Sequence, residues 1–266
     1  MKTSIIISCK ISDEDRAENL RALLKYLSML ISDEVELIVV EQDTQSRIEG
    51  DGTSIYRQIK HVFIKNEGTF NKGLGYNVGA KVSSGEYLIF TDIDLYIEIG
   101  LYLSSLSWLV EYDVVNPYTV LHYLDKENSR RFFTDYDMGI VRDKRRVLQM
   151  IRPGVISGGI FAISRGLFFA LKGFDERCAG YGYEDDILDT KMRKTGVRVR
   201  NIEADCIHAY HKSPRDRGDA SDEYYSFFDR NKNLYRWYMA MTREQVLEVI
   251  DNVATWGEAD YEYITH

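Results

Sequence analysis

The chain has 266 residues, 44% hydrophobic and 29% charged, and a net charge of −8, which suits one large α/β domain with a buried core. The acidic balance argues against nucleic acid or an anionic membrane as the main partner, and no apolar run is long enough to span a bilayer. Three cysteines without a CxxC pair indicate reduced thiols. We therefore expect a cytoplasmic protein whose membrane association, if any, is peripheral.

The first hundred residues alternate between short apolar runs and stretches with helical spacing, which predicts a parallel sheet with helices on its faces. In such open sheets a ligand lies at the carboxyl ends of the strands. The predicted strands are 3–8, 35–43, 61–66 and 87–94, and the predicted helices are 12–31 and 71–84.

The second half has a less regular pattern, and we divide the single domain into a nucleotide-binding half (1–98), an acceptor and metal half (99–221) and C-terminal helices (222–266). The predicted elements are an apolar helix at 101–112, a strand within 113–124, an amphipathic helix or flap at 142–150, a glycine-hinged strand and helix within 154–176, a helix from 184 that is capped by Gly196, strands within 197–212, and two C-terminal helices.

Asp92 and Asp94 interrupt the apolar run "YLIFTDIDLYI". Burying an unpaired carboxylate is costly. In an extended strand, residues two apart point to the same face, so this pair can bind a divalent cation or a ribose hydroxyl. The D-x-D pattern is frequent by chance, and a strand that simply ends at Asp92 is the alternative.

His208 and His211 lie three residues apart in "HAYH" and account for two of five histidines. Imidazole together with carboxylate suits Mn²⁺ or Zn²⁺. The alternative for either ring is a histidine that has no ligand role.

Three consecutive acids, Glu184, Asp185 and Asp186, follow "GYGY". They can stabilise a helix N-terminus, or one can accept a proton from a nucleophile while another binds a hydroxyl. Gly158 and Gly159 indicate either the close approach of a ligand or a bulge.

Four segments occur in an order that resembles the GT-A fold nucleotide-sugar glycosyltransferases: "FNKGLGYNVGA", "FTDIDLY", "SGGIFAISRGLFFALKGFDERCAGYGYEDDI" and "HAYHKSPRD". The resemblance is greatest to the family 2, β-1,4-galactosyltransferase and chondroitin-polymerase type branch, and covers about residues 4–216. It implies a GT-A fold with a Rossmann-like, mostly parallel central sheet and C-terminal helices. It further implies Mn²⁺ (or Mg²⁺) as cofactor, a UDP-sugar donor and an oligosaccharide or glycan acceptor.

The resemblance also implies roles for individual residues. Asp94, His208 and His211 match the metal ligands. Asp185 matches the general base of inverting members, and Glu184 matches a residue that holds the acceptor or donor sugar. The implied nucleotide-sugar contacts are Asp92 on the nucleoside side, Glu41 and Asp43 near the base, Phe70, Asn71 and Lys72 near the uracil, Gly158 and Gly159, Tyr181 in place of a usual tryptophan, Ile156, and Arg215 in a closing loop.

The function implied is the inverting transfer of a hexose or N-acetylhexosamine from a UDP-sugar to a glycan hydroxyl. Ile156 resembles a position where members that prefer galactose have a bulky aromatic, and a smaller side chain there leaves room for an N-acetyl group. The resemblance therefore favours N-acetylgalactosamine or galactose as the donor sugar. One alternative is a non-catalytic sugar- or nucleotide-binding protein. A second is a metal-dependent nucleotidyltransferase, but this would need a glycine-rich loop with lysine or arginine after the first strand, and "SCKISDEDR" is a poor match. A third is a metallohydrolase, which would need further metal ligands close in sequence. The sequence does not indicate an oligomeric state.

Overall fold

The computed structural model describes residues 2–48, 57–142, 147–156, 158–212 and 222–266. The strands are β1 (Thr3–Cys9), β2 (Val35–Asp43), β3 (Ile59–Lys65), β4 (Tyr87–Thr91), β5 (Leu95–Tyr96), β6 (Val114–Asn116), β7 (Val120–Tyr123), β8 (Val147–Met150), β9 (Phe161–Ser164), β10 (Val199–Asn201), β11 (Asp205–His208) and β12 (Tyr261–Ile264). The α-helices are α1 (Glu14–Leu27), α2 (Lys72–Val82), α3 (Ile99–Ser104), α4 (Lys126–Asp135), α5 (Arg165–Ala170), α6 (Glu184–Thr195), α7 (Asp222–Ala240) and α8 (Arg243–Asp251).

A large sheet of eight strands runs through the described part of the molecule in the order β10-β6-β9-β4-β1-β2-β3-β12. Its centre is parallel, since β1 pairs with β2 and β4, and β2 pairs with β3. Strand β9 is antiparallel to both of its neighbours. The α/β architecture predicted from the sequence is therefore confirmed, with a mostly parallel sheet between helices.

Both faces of this sheet are covered, which explains why its strands are continuous apolar runs. Ile5 and Ile7 of β1 face a core that also contains side chains of α1 and α4, whereas Ile6 faces a core formed with α2, α5, α6 and α8. All three isoleucines are at most 1% exposed.

A second sheet of four strands, in the order β5-β11-β7-β8, lies beside the D-x-D segment. The two-residue strand β5 follows Asp94 directly and pairs antiparallel with β11, so that Leu95 faces His208. This small sheet is not evident from the sequence because its strands have only two to four residues.

Several predicted elements differ from those observed. The amphipathic helix predicted at 142–150 is wrong where the chain is described, because Val147–Met150 is a strand that pairs with β7. The helix predicted at 101–112 is a short α-helix followed by a 3₁₀ helix at Ser105–Val110. The glycine-hinged strand begins only at Phe161, after the glycines.

Two C-terminal helices are present as predicted, but the sequence analysis missed β12. This strand pairs antiparallel with β3 and extends the edge of the large sheet. None of the helices within the described ranges is long and apolar enough to cross a membrane. Arg215 lies outside the described residues, as do residues 143–146 of the predicted flap.

Candidate active site

Lys72 joins three carboxylates that come from two distant parts of the chain. It is the first residue of α2, and its Nζ lies 3.3 Å from Asp92 Oδ2, 3.0 Å from Glu184 Oε1 and 3.1 Å from Asp185 Oδ2. Tyr76, one turn later on α2, donates a hydrogen bond of 2.6 Å to Asp92 Oδ1. The end of β4 and the first turn of α6 are thus held together by one ammonium group.

This carboxylate cluster perturbs the ionisation of its members. Burial raises the pKa of Asp185 to about 7, with Lys72 opposing the shift and Glu184 and Asp92 adding to it. Burial alone would lower the pKa of Lys72, but the three carboxylates hold it well above its ordinary value. A carboxyl group with a pKa near 7 is suited to accept a proton at physiological pH.

Gly158 leaves the space that Asp185 occupies. A Cβ at this position would lie 2.1 Å from Asp185 Oδ2, and the backbone has a φ of +73°, which disfavours any side chain. Gly159 also has a positive φ, and a Cβ there would lie 2.2 Å from Leu95 Cδ1. The two glycines lie in the segment before β9 and not within the strand. The carbonyl oxygen of Gly159 accepts a hydrogen bond of 3.1 Å from the amide of Asp92.

Asp94, His208 and His211 form a second cluster, in which potential metal-ligating atoms lie within 4.8 Å of one another. The pairing of β5 with β11 brings them together, and the amide of Ala209 donates a hydrogen bond of 2.8 Å to the Asp94 carbonyl oxygen. Burial opposes ionisation of Asp94, yet His208, His211 and Arg16 hold the pKa of its carboxyl well below the usual range.

The histidine rings are oriented by backbone groups. His208 Nδ1 lies 2.9 Å from the carbonyl oxygen of Ala209, and His211 Nδ1 lies 3.1 Å from that of Lys212. An Nδ1–H that donates to such a carbonyl leaves Nε2 of the ring as the ligand atom. His211 Nε2 is already 3.1 Å from Asp94 Oδ2.

Asp92 and Asp94 therefore face different clusters, although they are separated by a single residue. Strand β4 ends at Thr91, so the rule that alternate residues share a face does not apply to this pair. Asp94 faces the histidines, whereas Asp92 faces Lys72 and Tyr76.

Arg16 is a site residue that the sequence analysis missed. It lies in the first turn of α1, and its guanidinium lies 3.4 Å from both Asp94 Oδ2 and His211 Nδ1. The position of α1 after β1 was an available signal, because polar groups that follow a parallel strand lie at the ligand-binding edge of the sheet. Tyr76 gave no such signal, since it lies in an apolar helical stripe.

The two acidic residues at the end of β2 are engaged within the protein. Glu41 is fully buried and accepts hydrogen bonds of 2.7 Å from the amide of Arg47 and from Ser46 Oγ. Asp43 accepts from the amide of Thr44 and from Arg47 Nε, each at 2.8 Å. Both carboxylates thus hold the segment after β2 in place.

The other predicted donor residues differ in their surroundings. Asn71 is the N-cap of α2 and accepts a hydrogen bond of 2.9 Å from the amide of Leu74. Phe70 is half-buried, and its carbonyl oxygen accepts from the amide of Gly180 at 2.8 Å. Ile156 belongs to the apolar core and is 4% exposed. Tyr181 is 53% exposed.

The family model described as "Glycosyltransferase like family 2" matches residues 4–244. The chain belongs to this family. It is a glycosyltransferase, and the clusters described above lie within the matched range. A comparison with curated protein sequences gives no match.

Solved structures with the same fold are GT-A glycosyltransferases. The structure of S. aureus TarS with UDP has a TM-score of 0.59 and 17% identity, with 95% of this glycosyltransferase and 71% of that chain covered. GalNAc-T7 with UDP, GalNAc and Mn²⁺ has a TM-score of 0.52 and 14% identity, with 95% and 57% covered. The catalytic domain of Drosophila β1,4-galactosyltransferase 7 has a TM-score of 0.42 and 17% identity, with 75% and 64% covered, so this chain spans slightly less than two thirds of that domain. For TarS and GalNAc-T7, whose TM-scores exceed 0.5, the likeness at these identities concerns the fold.

Proposed function

We propose that this glycosyltransferase is metal-dependent and inverting, and that it moves a sugar from a UDP-sugar to a hydroxyl group of a glycan. The observation that carries the proposal is the placement of two clusters on either side of Ile93. The Asp94 cluster suits a cation and the diphosphate, and the cluster around Lys72 suits the sugar and the attacking hydroxyl.

Asp94, His208 and His211 would hold the cation. A carboxylate and two imidazoles suit Mn²⁺, and the spread of the ligand atoms, within 4.8 Å, fits a single ion. When bound, this ion offsets the negative charge of the departing diphosphate. Arg16 would contact the same diphosphate, because its guanidinium already pairs with an anionic oxygen beside the histidines.

Asp185 would accept the proton of the acceptor hydroxyl as that oxygen attacks the anomeric carbon. A base on the side opposite the leaving diphosphate produces a single displacement, and the anomeric configuration inverts. Its raised pKa supports this role, because a stronger base removes the hydroxyl proton more readily. Glu184 and Lys72 lie beside Asp185 in the same cluster and would bind hydroxyl groups of the donor or acceptor sugar. Lys72 is thus proposed on the sugar, whereas the resemblance implies a position near the uracil.

Aromatic and small residues would complete the sugar site. The exposed ring of Tyr181 would serve as an acceptor platform, as aromatic faces pack on the apolar faces of sugars. Phe70 would lie near the uracil, and Gly158 and Gly159 would allow the donor to approach the backbone. We propose galactose or N-acetylgalactosamine as the donor sugar because Ile156 resembles the family position that distinguishes the two. Its side chain is buried.

The proposal is tested by UDP release from a panel of UDP-sugars, measured with Mn²⁺ and with EDTA. We expect release from at least one UDP-sugar, and we expect EDTA to stop it. Asp94→Ala should lose metal-dependent donor binding in calorimetry. Absence of both release and binding for every UDP-sugar would refute the function, and equal donor affinity in wild type and Asp94→Ala would refute the metal assignment.

The proposed role of Asp185 as the base is tested separately by substituting Asp185 and its neighbour Asp186. Asp185→Asn should retain donor binding and lose transfer by several orders of magnitude. Asp186→Asn is the matched control, because Asp186 is exposed and is not among the carboxylates that contact Lys72, and it should transfer like the wild type. Transfer by Asp185→Asn at the control's rate would exclude Asp185 as the base.

A further inference from the structure

A pocket of about 490 Å³ lies between α6, α7, α8 and the segment 172–177. This volume is within the range of small-ligand sites. Lys172, Lys191, Trp237 and Glu248 are among its lining residues. None of them belongs to the carboxylate cluster or to the candidate metal site.

Three charged residues of the lining, Asp175, Glu176 and Arg177, already have partners within the protein. Asp175 accepts hydrogen bonds from Arg177, including one of 2.6 Å from Nη2, and one of 2.8 Å from Tyr238. Glu176 Oε1 accepts a hydrogen bond of 2.8 Å from Asn77 Nδ2. Both acids are therefore engaged in holding the segment 172–177. Arg177 offsets the charge of Asp175, whereas Glu176, which accepts from an uncharged amide, retains its negative charge.

Lys191 is the buried cation of this lining. The residue is 3% exposed, and within the described residues its ammonium has one acceptor, the Gly173 carbonyl oxygen at 2.6 Å. An ammonium has three N–H donors, so two of them have no acceptor among the described residues, although Asp175 and Glu176 lie near enough to raise the pKa of Lys191. Burial, opposed by Asp175 and Glu176 and helped by Arg177, lowers the pKa of Lys191 to about 8. An anionic oxygen in the pocket would supply the missing acceptors.

The rest of the lining suits a sugar. Trp237 is 44% exposed, and the Arg177 guanidinium lies 5.1 Å from its ring. A partly exposed indole offers an apolar surface to a pyranose face. Exposed Glu248 on α8 can accept hydrogen bonds from sugar hydroxyl groups, and Lys172 adds a second ammonium.

Two helices connect this pocket to the candidate active site. Lys191 follows Glu184 by seven residues on α6, which corresponds to about 10 Å along the helix axis. On α7, Phe228 stacks on Tyr181 and Tyr235 stacks on Tyr183, with ring centroids 6.2 Å and 5.3 Å apart. Trp237 follows these rings on the same helix, so aromatic side chains extend from the acceptor platform towards the pocket.

We propose that this pocket binds an anionic sugar unit of the acceptor glycan, at a distance from the hydroxyl that reacts. The anionic group contacts Lys191 and Lys172, and the sugar ring packs on Trp237. This inference rests on the proposed function, because it assumes a glycan acceptor. It makes the enzyme selective for acceptor chains that carry a carboxylate or a phosphate.

The test follows the three tryptophan indole N–H signals in NMR spectra during titration with glucuronic acid, glucose 6-phosphate or glucose. The signals of Trp237 and Trp256, both in the lining, should shift with at least one anionic sugar. Trp108, which packs against Arg200 outside the lining, should not move. The anionic sugar that shifts them identifies the group, carboxylate or phosphate. Glucose binding as tightly as both anionic sugars, or no shift of either signal, would overturn the proposal.

Variants link the binding to the named residues. Lys191→Met should weaken binding of the anionic sugar about 10- to 100-fold, because charge-assisted hydrogen bonds are lost. Lys172→Ala provides a second test if Lys191→Met does not fold, and unchanged binding in the variant measured contradicts the proposal. Lys232→Met, on α7 outside the lining, is the matched control and should bind like the wild type.

The two proposals fail in different ways. Trp237→Ala should weaken sugar binding and leave metal-dependent UDP release by hydrolysis unchanged, because Trp237 is not part of the donor site. If the wild type releases UDP but no indole signal shifts, the pocket proposal alone is wrong. If no UDP-sugar is bound or hydrolysed, the proposed function is wrong whatever the pocket binds.

Discussion

Two substitutions that should shift the pKa of Asp185 in opposite directions provide a direct test of the carboxylate cluster. Lys72 Nζ lies 3.1 Å from Asp185 Oδ2. Burial and Glu184 raise the pKa of Asp185 and Lys72 lowers it, and the combined result is a pKa of about 7. Lys72→Met should therefore raise the pKa of Asp185, and Glu184→Gln should lower it. The acidic limb of the pH–rate profile should move in the same directions.

The magnitudes follow from the distances. An opposite charge this close lowers a carboxyl pKa by about 1 to 3 units, so Lys72→Met should move the limb upward by that amount. Removing the like charge of Glu184 should move it downward by about one unit, or roughly 1.4 kcal/mol of interaction between the two carboxylates.

The assay is kcat/KM for sugar transfer between about pH 5 and 9, because this parameter reports the pKa values of groups in the free enzyme. Both variants should also transfer more slowly, since Lys72 and Glu184 are proposed to bind sugar, so only the position of the limb is diagnostic. Profiles at two saturating Mn²⁺ concentrations separate Asp185 from any group that binds the metal, because protons compete with the metal for such a group.

A limb that stays at the wild-type pH in both variants would refute this account of Asp185. Shifts in the same direction would refute it as well, because the two substitutions remove charges of opposite sign. Asp186→Asn is the control, and its limb should coincide with that of the wild type.

Three further predictions concern Gly158 beside Asp185, the linkage of protonation to stability, and the hydrophobic core. Gly158→Ala should lower kcat at least about 100-fold by displacing Asp185. A near-wild-type kcat would contradict the close approach at 2.1 Å. The pKa of Asp185 is raised from its ordinary value of 3.8 to about 7, so between these two pH values the folded state binds a proton that the unfolded state has lost. The free energy of unfolding of the wild type should therefore fall as the pH rises from the lower value to the higher one, by at most about 1.4 kcal/mol per pH unit. Urea unfolding of Asp185→Asn should lack this slope, and identical slopes would contradict the raised pKa. Phe90→Ala removes a fully buried ring that packs on Phe161 and Phe168 and should lower the free energy of unfolding by about 3–5 kcal/mol; a loss below about 1 kcal/mol would contradict that packing.

Much of the central sheet could be predicted because its strands are buried on both faces. Val35–Asp43 was predicted with its observed ends, since its buried apolar centre marks a strand that ends in polar residues at the ligand-binding edge of the sheet. The end of α6 was equally well marked, because Gly196 has a φ of +86° and only glycine adopts such a cap at low cost.

Short elements could not be predicted in the same way. Strands β5 and β8 have two and four residues, too few to show a period, and β8 exists through its pairing with β7. Strand β12 likewise depends on the exposed edge of β3. Neighbours that are distant in sequence decide the structure of such segments.

The sequence by itself determined the α/β class, the family resemblance and the chemical groups of the site, because these depend on residue type and order. Only the tertiary structure decided that Asp92 and Asp94 face different clusters, since this follows from the end of β4 at Thr91 and from the pairing of β5 with β11. It also decided that Lys72 contacts Asp185, across 113 positions of sequence. Contacts of this kind arise from packing between elements, and no local pattern encodes them.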